Sequence, residues 1–408
     1  MRLFRTLLAG VAAAGLLAGA AQAQQGKISN DVVKIGVLND QSSLYADISG
    51  QGSVVAARMA VEDFGGKVLD KPIEVVFADH QNKPDVGSAI ARRWIDEEGV
   101  DAISDVPTSS VALAIQGLTR EKKRIFLMSG PASSDLTGKQ CSPYGFHWTY
   151  DTYALANGTG GAMVKQGGDT WFFITADYAF GHALERDTGN AVKAAGGKVL
   201  GAVRHPLNTN DFSSFLLQAQ GSGAKVIGLA NAGGDTINSI KQASEFGIVQ
   251  AGQKLAGLLV FISDVHALGL KTAHGLVVTT AFYWDQNDET RAWSKRYMEK
   301  MGGKAPTMVQ AGVYSGVKHY LQAIKDAGTD DPDAVAAKMR EAKINDFMTK
   351  DGWIRPDGRV MRDMYLVEVK EPGESKGPWD YYKILRTIPA EEAARPLDQG
   401  DCPLVKKG

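Results

Sequence analysis

The sequence predicts an α/β fold built from two paired domains, each a parallel sheet flanked by helices. Three observations carry that expectation. From Val32 onward, short β-rich runs alternate with longer segments of helical period, the rhythm of strands joined through crossover helices. The alternation runs through twice, with a similar layout in both halves and no shorter repeat of the kind that builds a solenoid. The chain has 408 residues, 44% hydrophobic and 22% charged, which suffices for two domains of roughly 150 to 200 residues each.

Residues 32–38 read as the first strand. A Ser-rich loop follows, then a helix in which Val54, Ala57, Val61 and Phe64 fall near helical spacing and Gly65-Gly66 supplies the stop. Strands at 73–78, 100–104 and 125–128 alternate with helices at 85–97 and 109–122, completing a βαβαβαβ run. After a glycine-interrupted helix at about 152–166, a second run places strands at 171–175, 198–204, 226–229 and 255–261, with helices at 181–195, 212–220 and 235–246. A strand at 276–282 leads to two long helices. One ends near Met301; the other, at 307–327, sets Val313, Val317, Tyr320, Leu321 and Ile324 on one stripe. Beyond Asn345, Gly and Pro punctuate apparent strands at 364–369 and 381–384, read as antiparallel additions at an edge. No low-complexity linker separates the halves, so the chain is expected to cross between domains more than once through short hinges.

Charge almost cancels, 45 Lys plus Arg against 46 Asp plus Glu, which argues against a nucleic-acid partner. The amino terminus departs from this average. Arg2 and Arg5 precede an apolar stretch from Leu7 to Ala20, and Ala21-Gln22-Ala23 offers the small-x-small pattern of signal peptidase. Residues 1–23 are therefore expected to be a cleaved export signal, with the mature chain in the periplasm. Export gives meaning to the two cysteines: Cys141 and Cys402 are an even pair in an oxidising compartment, expected to form one bridge that ties the carboxyl tail to the body. Two unrelated thiols are the alternative.

Catalytic signatures are missing. The seven histidines are scattered without HExxH or HxH grouping, and neither a GxSxG elbow nor a GxxxxGK[ST] loop occurs. No metal and no cofactor is expected. Ser- and Thr-rich loops stand instead directly after strands, where a parallel sheet presents its ligands. They are 40–49 with Tyr45, then Pro107-Thr108-Ser109-Ser110 at a helix start, and Ser129-Gly130-Pro131-Ala132-Ser133-Ser134. Asp177-Tyr178-Ala179-Phe180, Asn231-Ala232-Gly233-Gly234-Asp235 and Ser263-Asp264 correspond in the second half. Any one of them alone reads equally well as helix capping; six in two domains point to a shared cleft.

Several segments together carry a family resemblance. They are the strand at 32–38, the helix end Met59-Ala60-Val61-Glu62-Asp63-Phe64, Asp79-His80-Gln81, Ala176-Asp177-Tyr178-Ala179-Phe180-Gly181 and Ala194-Ala195-Gly196-Gly197-Lys198-Val199. In order and spacing they resemble the periplasmic solute-binding proteins of ABC importers, in the type I branch typified by leucine/isoleucine/valine-binding proteins. The resemblance implies two Rossmann-like lobes joined by three hinge crossovers. Lobe 1 would hold 27–149 plus about 282–345, lobe 2 150–281 plus about 346–390, and 391–408 would be a tail. It further implies a monomer that encloses a small carboxylate-bearing solute and delivers it to permease subunits, without catalysis. A branched-chain or other aliphatic amino acid comes first, an aromatic acid second. The carboxylate donors would fall on Thr108, Ser109, Ala132 and Ser133, and the aromatic wall on Tyr45 with Tyr178 or Phe180. Asn231 would supply a polar contact from the second lobe, and Asp264 the partner of an ammonium. The alternatives are a sensory module of the same fold, and a secreted amidase using Asp264 or Ser133.

Overall fold

The computed structural model describes residues 28–406, so the expected export signal lies outside the described residues. The first domain opens with β1 (Val33–Asn39), α1 (Gly50–Phe64), β2 (Lys67–Val68), β3 (Lys71–Asp79), α2 (Pro84–Asp96), β4 (Ala102–Asp105), α3 (Ser109–Lys122), β5 (Ile125–Met128) and β6 (Gly145–His147). Its sheet runs β2-β3-β1-β4-β5-β6, parallel except for β2, which folds back on β3. Every residue of β4 and β5 is buried, as in a sheet covered by helices on both faces. α2 shows how the helices meet it. Pro84 sits in the first turn, where its missing N–H costs nothing, and Gly87, Ala91, Trp94 and Ile95 form the buried stripe.

The second domain begins with α4 (Thr152–Leu155), a π turn at Ala156–Gly160 and α5 (Gly161–Lys165). β7 (Thr170–Ala176), α6 (Ala179–Ala194), β8 (Lys198–His205), α7 (Ser213–Gly221), β9 (Val226–Ala230), α8 (Gly234–Glu245) and β10 (Lys254–Gly257) follow. These strands form a parallel sheet in the order β10-β9-β7-β8. After α9 (Ile262–Leu268), α10 (Leu270–Ala273) and β11 (Val277–Thr280), the chain returns to the first domain as α11 (Asp288–Lys300), α12 (Met308–Ala327) and α13 (Pro332–Glu341). α12 packs along α1 and buries its stripe there. The short β12 (Trp353–Ile354) and β13 (Val360–Met361) precede β14 (Met364–Val369), β15 (Tyr382–Ile388) and α14 (Ala390–Ala393).

The expected elements reappear with four differences. The strand expected at 255–261 stops at Gly257, because Leu258–Phe261 leaves the sheet edge to start α9. The late strands are antiparallel as expected, but with β11 they make a separate sheet, β11-β14-β15, rather than an extension of an existing edge. α9, α10, α13, α14 and the short strands β2, β6, β12 and β13 have no counterpart among the elements expected from the sequence. The return segment expected to rejoin lobe 2 from about 346 is still held at the first domain to 359, where His147 and Arg359 form a β-bridge.

Two buried arginines tie the crossovers together. Arg359 pairs with Asp151 at 3.1 Å and donates to the His147 and Thr149 carbonyls, fixing the passage from β6 to α4. Arg362 donates to the carbonyls of Ala281 and Met348 at 2.8 and 2.7 Å, joining the passages on either side of the α11–α13 return. Each guanidinium thus donates to two backbone carbonyls and bridges segments far apart in sequence. After β15 the tail comes back to the first domain, where the expected Cys141–Cys402 disulfide closes with Cα atoms 5.7 Å apart. No helix among the described residues is long and apolar enough to cross a membrane.

The core of the first sheet makes one sharp demand. Gly36 in the middle of β1 lies under the Trp94 ring, and a Cβ there would fall inside the ring's van der Waals surface and press on Val100. Gly36→Ala is expected to cost about 1–3 kcal/mol by overpacking, read as a lower urea midpoint with unchanged m value. A midpoint within error of the parent would show that Trp94 yields freely.

Candidate functional site

Parallel strands deliver their following loops to one edge, and the two sheets turn those edges toward each other. In the first domain Asp40, just beyond β1, organises the loop to α1. Its carboxylate accepts from the amides of Ser43 and Tyr45 at 2.9 and 2.8 Å and from Asn82 Nδ2 at 2.7 Å. Burial opposes the charge on Asp40, but these donors outweigh it and hold the carboxyl below its ordinary range. Tyr45 is thereby presented to the cleft. At the end of β4, Asp105 and Val106 adopt left-handed φ values of 80° and 56°, turning the chain into Pro107 and the start of α3. Beyond β5, Ser109 Oγ accepts from both the Ala132 and Ser133 amides at 3.2 Å.

The second domain answers with the loops after β7, β9 and β10. Tyr45 and Tyr178 join hydroxyl to hydroxyl at 2.5 Å across the cleft. Beside them Gly233, at φ +57°, comes so close to the Leu44 carbonyl that a Cβ would collide with it. The cavity left between the domains measures only about 10 Å³, and with the two tyrosines in contact the arrangement is a closed one. Tyr45, Ile48, Pro107, Gly130, Ala132 and Tyr150 line it from the first domain and the crossover, and Tyr178, Phe180, Ala232 and Leu259 from the second. Burial raises the phenol pKa values of Tyr45, Tyr150 and Tyr178 above the ordinary range, so all three remain neutral donors.

Of the expected residues, Tyr45, Ala132, Tyr178 and Phe180 meet at this cavity. Thr108, Ser109 and Ser133 are fully buried just behind it. There Thr108 donates to Asn82, Ser109 holds the two amides, and Ser133 Oγ accepts weakly from the Asp135 amide at 3.4 Å. Asn231 and Asp264 do not reach the lining. Asn231 is consumed within its own domain, donating toward His205 Nε2 and Ser239 Oγ and accepting from Thr236. Asp264 sits in the first turn of α9 and accepts from the Phe261 amide at 2.9 Å, a capping contact. Tyr150 and Leu259 were missed. Tyr150, two residues before α4, donates to the Gly130 carbonyl at 2.7 Å. Its only sequence signal was an aromatic residue beside a crossover.

Such a cleft, closed by two α/β domains over a small neutral cavity, defines a solute receptor of the hinged two-lobe type. A periplasmic binding protein family model matches residues 32–377, and the chain belongs to that family, in its type I, branched-chain amino acid ABC transporter group. A Leu/Ile/Val-binding protein homologue of Brucella melitensis is 28% identical over 340 residues, covering 82% of this chain and 84% of the relative. A periplasmic binding protein from Burkholderia mallei is 55% identical with a TM-score of 0.90, covering 92% of this chain and all of that one. A branched-chain amino acid ABC transporter ligand-binding protein from Burkholderia xenovorans is 43% identical with a TM-score of 0.81, covering 91% and 99%. A Rhodopseudomonas palustris solute-binding protein solved with 4-hydroxybenzoate is 25% identical with a TM-score of 0.79, covering 88% and 98%.

Burial pushes the Asp264 carboxyl up to about 7, against the single amide that supports its charge. The fold therefore favours its protonated form. The stability it contributes is fully present below the ordinary carboxyl range near 3.8 and is lost as pH rises through about 7. Asp264→Asn keeps an acceptor for Phe261 and removes the charge, so its stability relative to the parent should improve from pH 5 to about pH 7 and level off above it. Urea unfolding at several pH values measures this, and a difference that stays flat would contradict it.

Proposed function

We propose that the chain is the extracytoplasmic receptor of an ABC importer for a small aromatic carboxylate, which it encloses between its domains and hands to a membrane permease. One observation carries the ligand class: the cavity is lined by Tyr45, Tyr150, Tyr178 and Phe180 and by no acidic side chain. An amino acid would bring an ammonium group into this apolar surround, where an unpaired charge is costly. Asp264, the expected partner, is engaged in capping α9. A ring stacked among aromatic walls needs no such partner. Its carboxylate would compete with Ser109 Oγ for the Ala132 and Ser133 amides, beside the positive end of α3. The R. palustris relative solved with 4-hydroxybenzoate supports this reading. A branched-chain amino acid is the second reading, favoured by the B. xenovorans relative.

With a cavity of about 10 Å³, room for one water at most, entry of a solute requires the domains or their tyrosines to part. Binding then shifts an open–closed equilibrium that the permease reads. The mature protein would be a periplasmic monomer released by cleavage after Ala23, so its amino-terminal sequence should begin at Gln24. A sensory receptor would use the same closure; a permease that recognises the closed form separates the two. The amidase alternative loses its candidates, because Ser133 and Asp264 both hold backbone amides away from the cavity lining.

Calorimetry against benzoate, 4-hydroxybenzoate and leucine tests the ligand class. The aromatic acids should bind at least tenfold more tightly than leucine, and Tyr178→Ala should weaken them by about tenfold or more. Tight leucine binding with none for the aromatic acids would reverse the order of the two readings.

A further inference from the structure

The loop from Ser129 to Cys141 faces two ways. On one side Gly130 and Ala132 line the cavity, and the Ala132 and Ser133 amides converge on Ser109. On the other side the next two residues reach across the cleft to α6 of the second domain. Ser134 Oγ donates to Asp187 Oδ2 at 2.6 Å, and Arg186 donates to Asp135 at 3.2 Å and to Ser134 Oγ at 2.8 Å. Asp187 is mostly buried and is fixed further by Thr152 Oγ1 at 2.6 Å and by Arg186 Nε at 2.9 Å.

The first-domain half of this contact is braced from behind. Arg395 of the returning tail donates to the Ser134 carbonyl at 3.0 Å, and Arg355 in turn holds the Arg395 carbonyl at 2.7 Å. The far end of the loop is bonded to the same tail through Cys141–Cys402. The contact borders a groove of about 460 Å³ open to solvent, so mobile ions reach it.

We infer that Arg186, Asp187, Ser134 and Asp135 form an interdomain latch that biases the open–closed equilibrium toward the closed arrangement, and that the disulfide-pinned tail keeps the first-domain half in place. These are positioning residues, since none touches the cavity. The inference rests on the receptor reading but not on the identity of the solute. A latch made on the residues next to the carboxylate donors stabilises the state in which those donors are assembled, so loss of the latch weakens binding at a distance.

Small-angle scattering of the solute-free protein, with calorimetry against 4-hydroxybenzoate, tests the latch. Arg186→Ala and Asp135→Ala should each enlarge the radius of gyration toward an open form and weaken binding about fivefold. The double variant should be no worse than either single one, the signature of a shared contact. Arg186→Lys should recover part of the loss, and raising salt should open the parent but not the variants. Joint replacement Cys141→Ser with Cys402→Ser should act in the same direction. Scattering and salt response unchanged in both single alanine variants would overturn the latch. A clear scattering shift in a protein that ignores 4-hydroxybenzoate would leave the latch standing and count against the aromatic ligand alone.

Discussion

Parallel strand order is the constraint on which the rest depends. In both principal sheets every crossover returns the chain to the same edge, so the backbone leaving each strand is delivered to one side whatever its sequence. That is why loops separated by more than a hundred residues, such as those carrying Tyr45 and Tyr178, can meet hydroxyl to hydroxyl. The hinge then has only to keep two such edges facing each other. Arg359 and Arg362 do this by gathering the crossovers onto two buried guanidinium groups, each donating to two backbone carbonyls.

Strand and helix positions were legible because they follow from periodicity, and periodicity is written locally. The loops that form the cleft were legible for the same reason: each comes directly after a strand. What could not be read was the direction of individual side chains within those loops. Asn231 and Asp264 lie in the right loops, but a side chain at the start of a helix meets free backbone N–H groups before it meets a ligand. Local hydrogen bonds therefore claim Asp264, and a hydrogen-bonding cluster inside the second domain claims Asn231. Tyr150 illustrates the converse. Nothing near it in sequence marks it, because its place in the cavity depends on how the crossover leaves β6 and on the Gly130 carbonyl that receives its hydroxyl.

The electrostatics of the cleft follow from that sorting. Acidic side chains stand around the cavity but not in its wall: Asp105 accepts from Asn39 and Ser49, and Asp235 from the amides of Asn208 and Thr209. Burial raises both carboxyls, to about 6 and about 7. Near neutral pH they are thus partly protonated and repel an incoming anion less than full carboxylates would. The wall itself presents phenols, a phenylalanine ring and aliphatic side chains. Such a surface suits a planar apolar body with one anionic end better than a zwitterion, which would need a full counter-charge that the wall does not offer.

Recognition and closure are usually discussed as separate steps, yet here one loop serves both. Gly130 and Ala132 face the solute position while Ser134 and Asp135 grip α6, so the backbone between them transmits any displacement of one face to the other over two or three residues. A free loop would dissipate that displacement. This one is fixed at its far end by Cys141–Cys402 and from behind by Arg395. The returning tail also makes a fourth connection between the domains, beyond the three crossovers expected of the family, because it leaves β15 in the second domain and is bonded covalently to the first. Opening must therefore proceed by rotation about the crossovers while the tail keeps its hold on the loop. Under that restriction the residues that line the cavity from this loop and the residues that contact α6 stay on one braced segment of backbone.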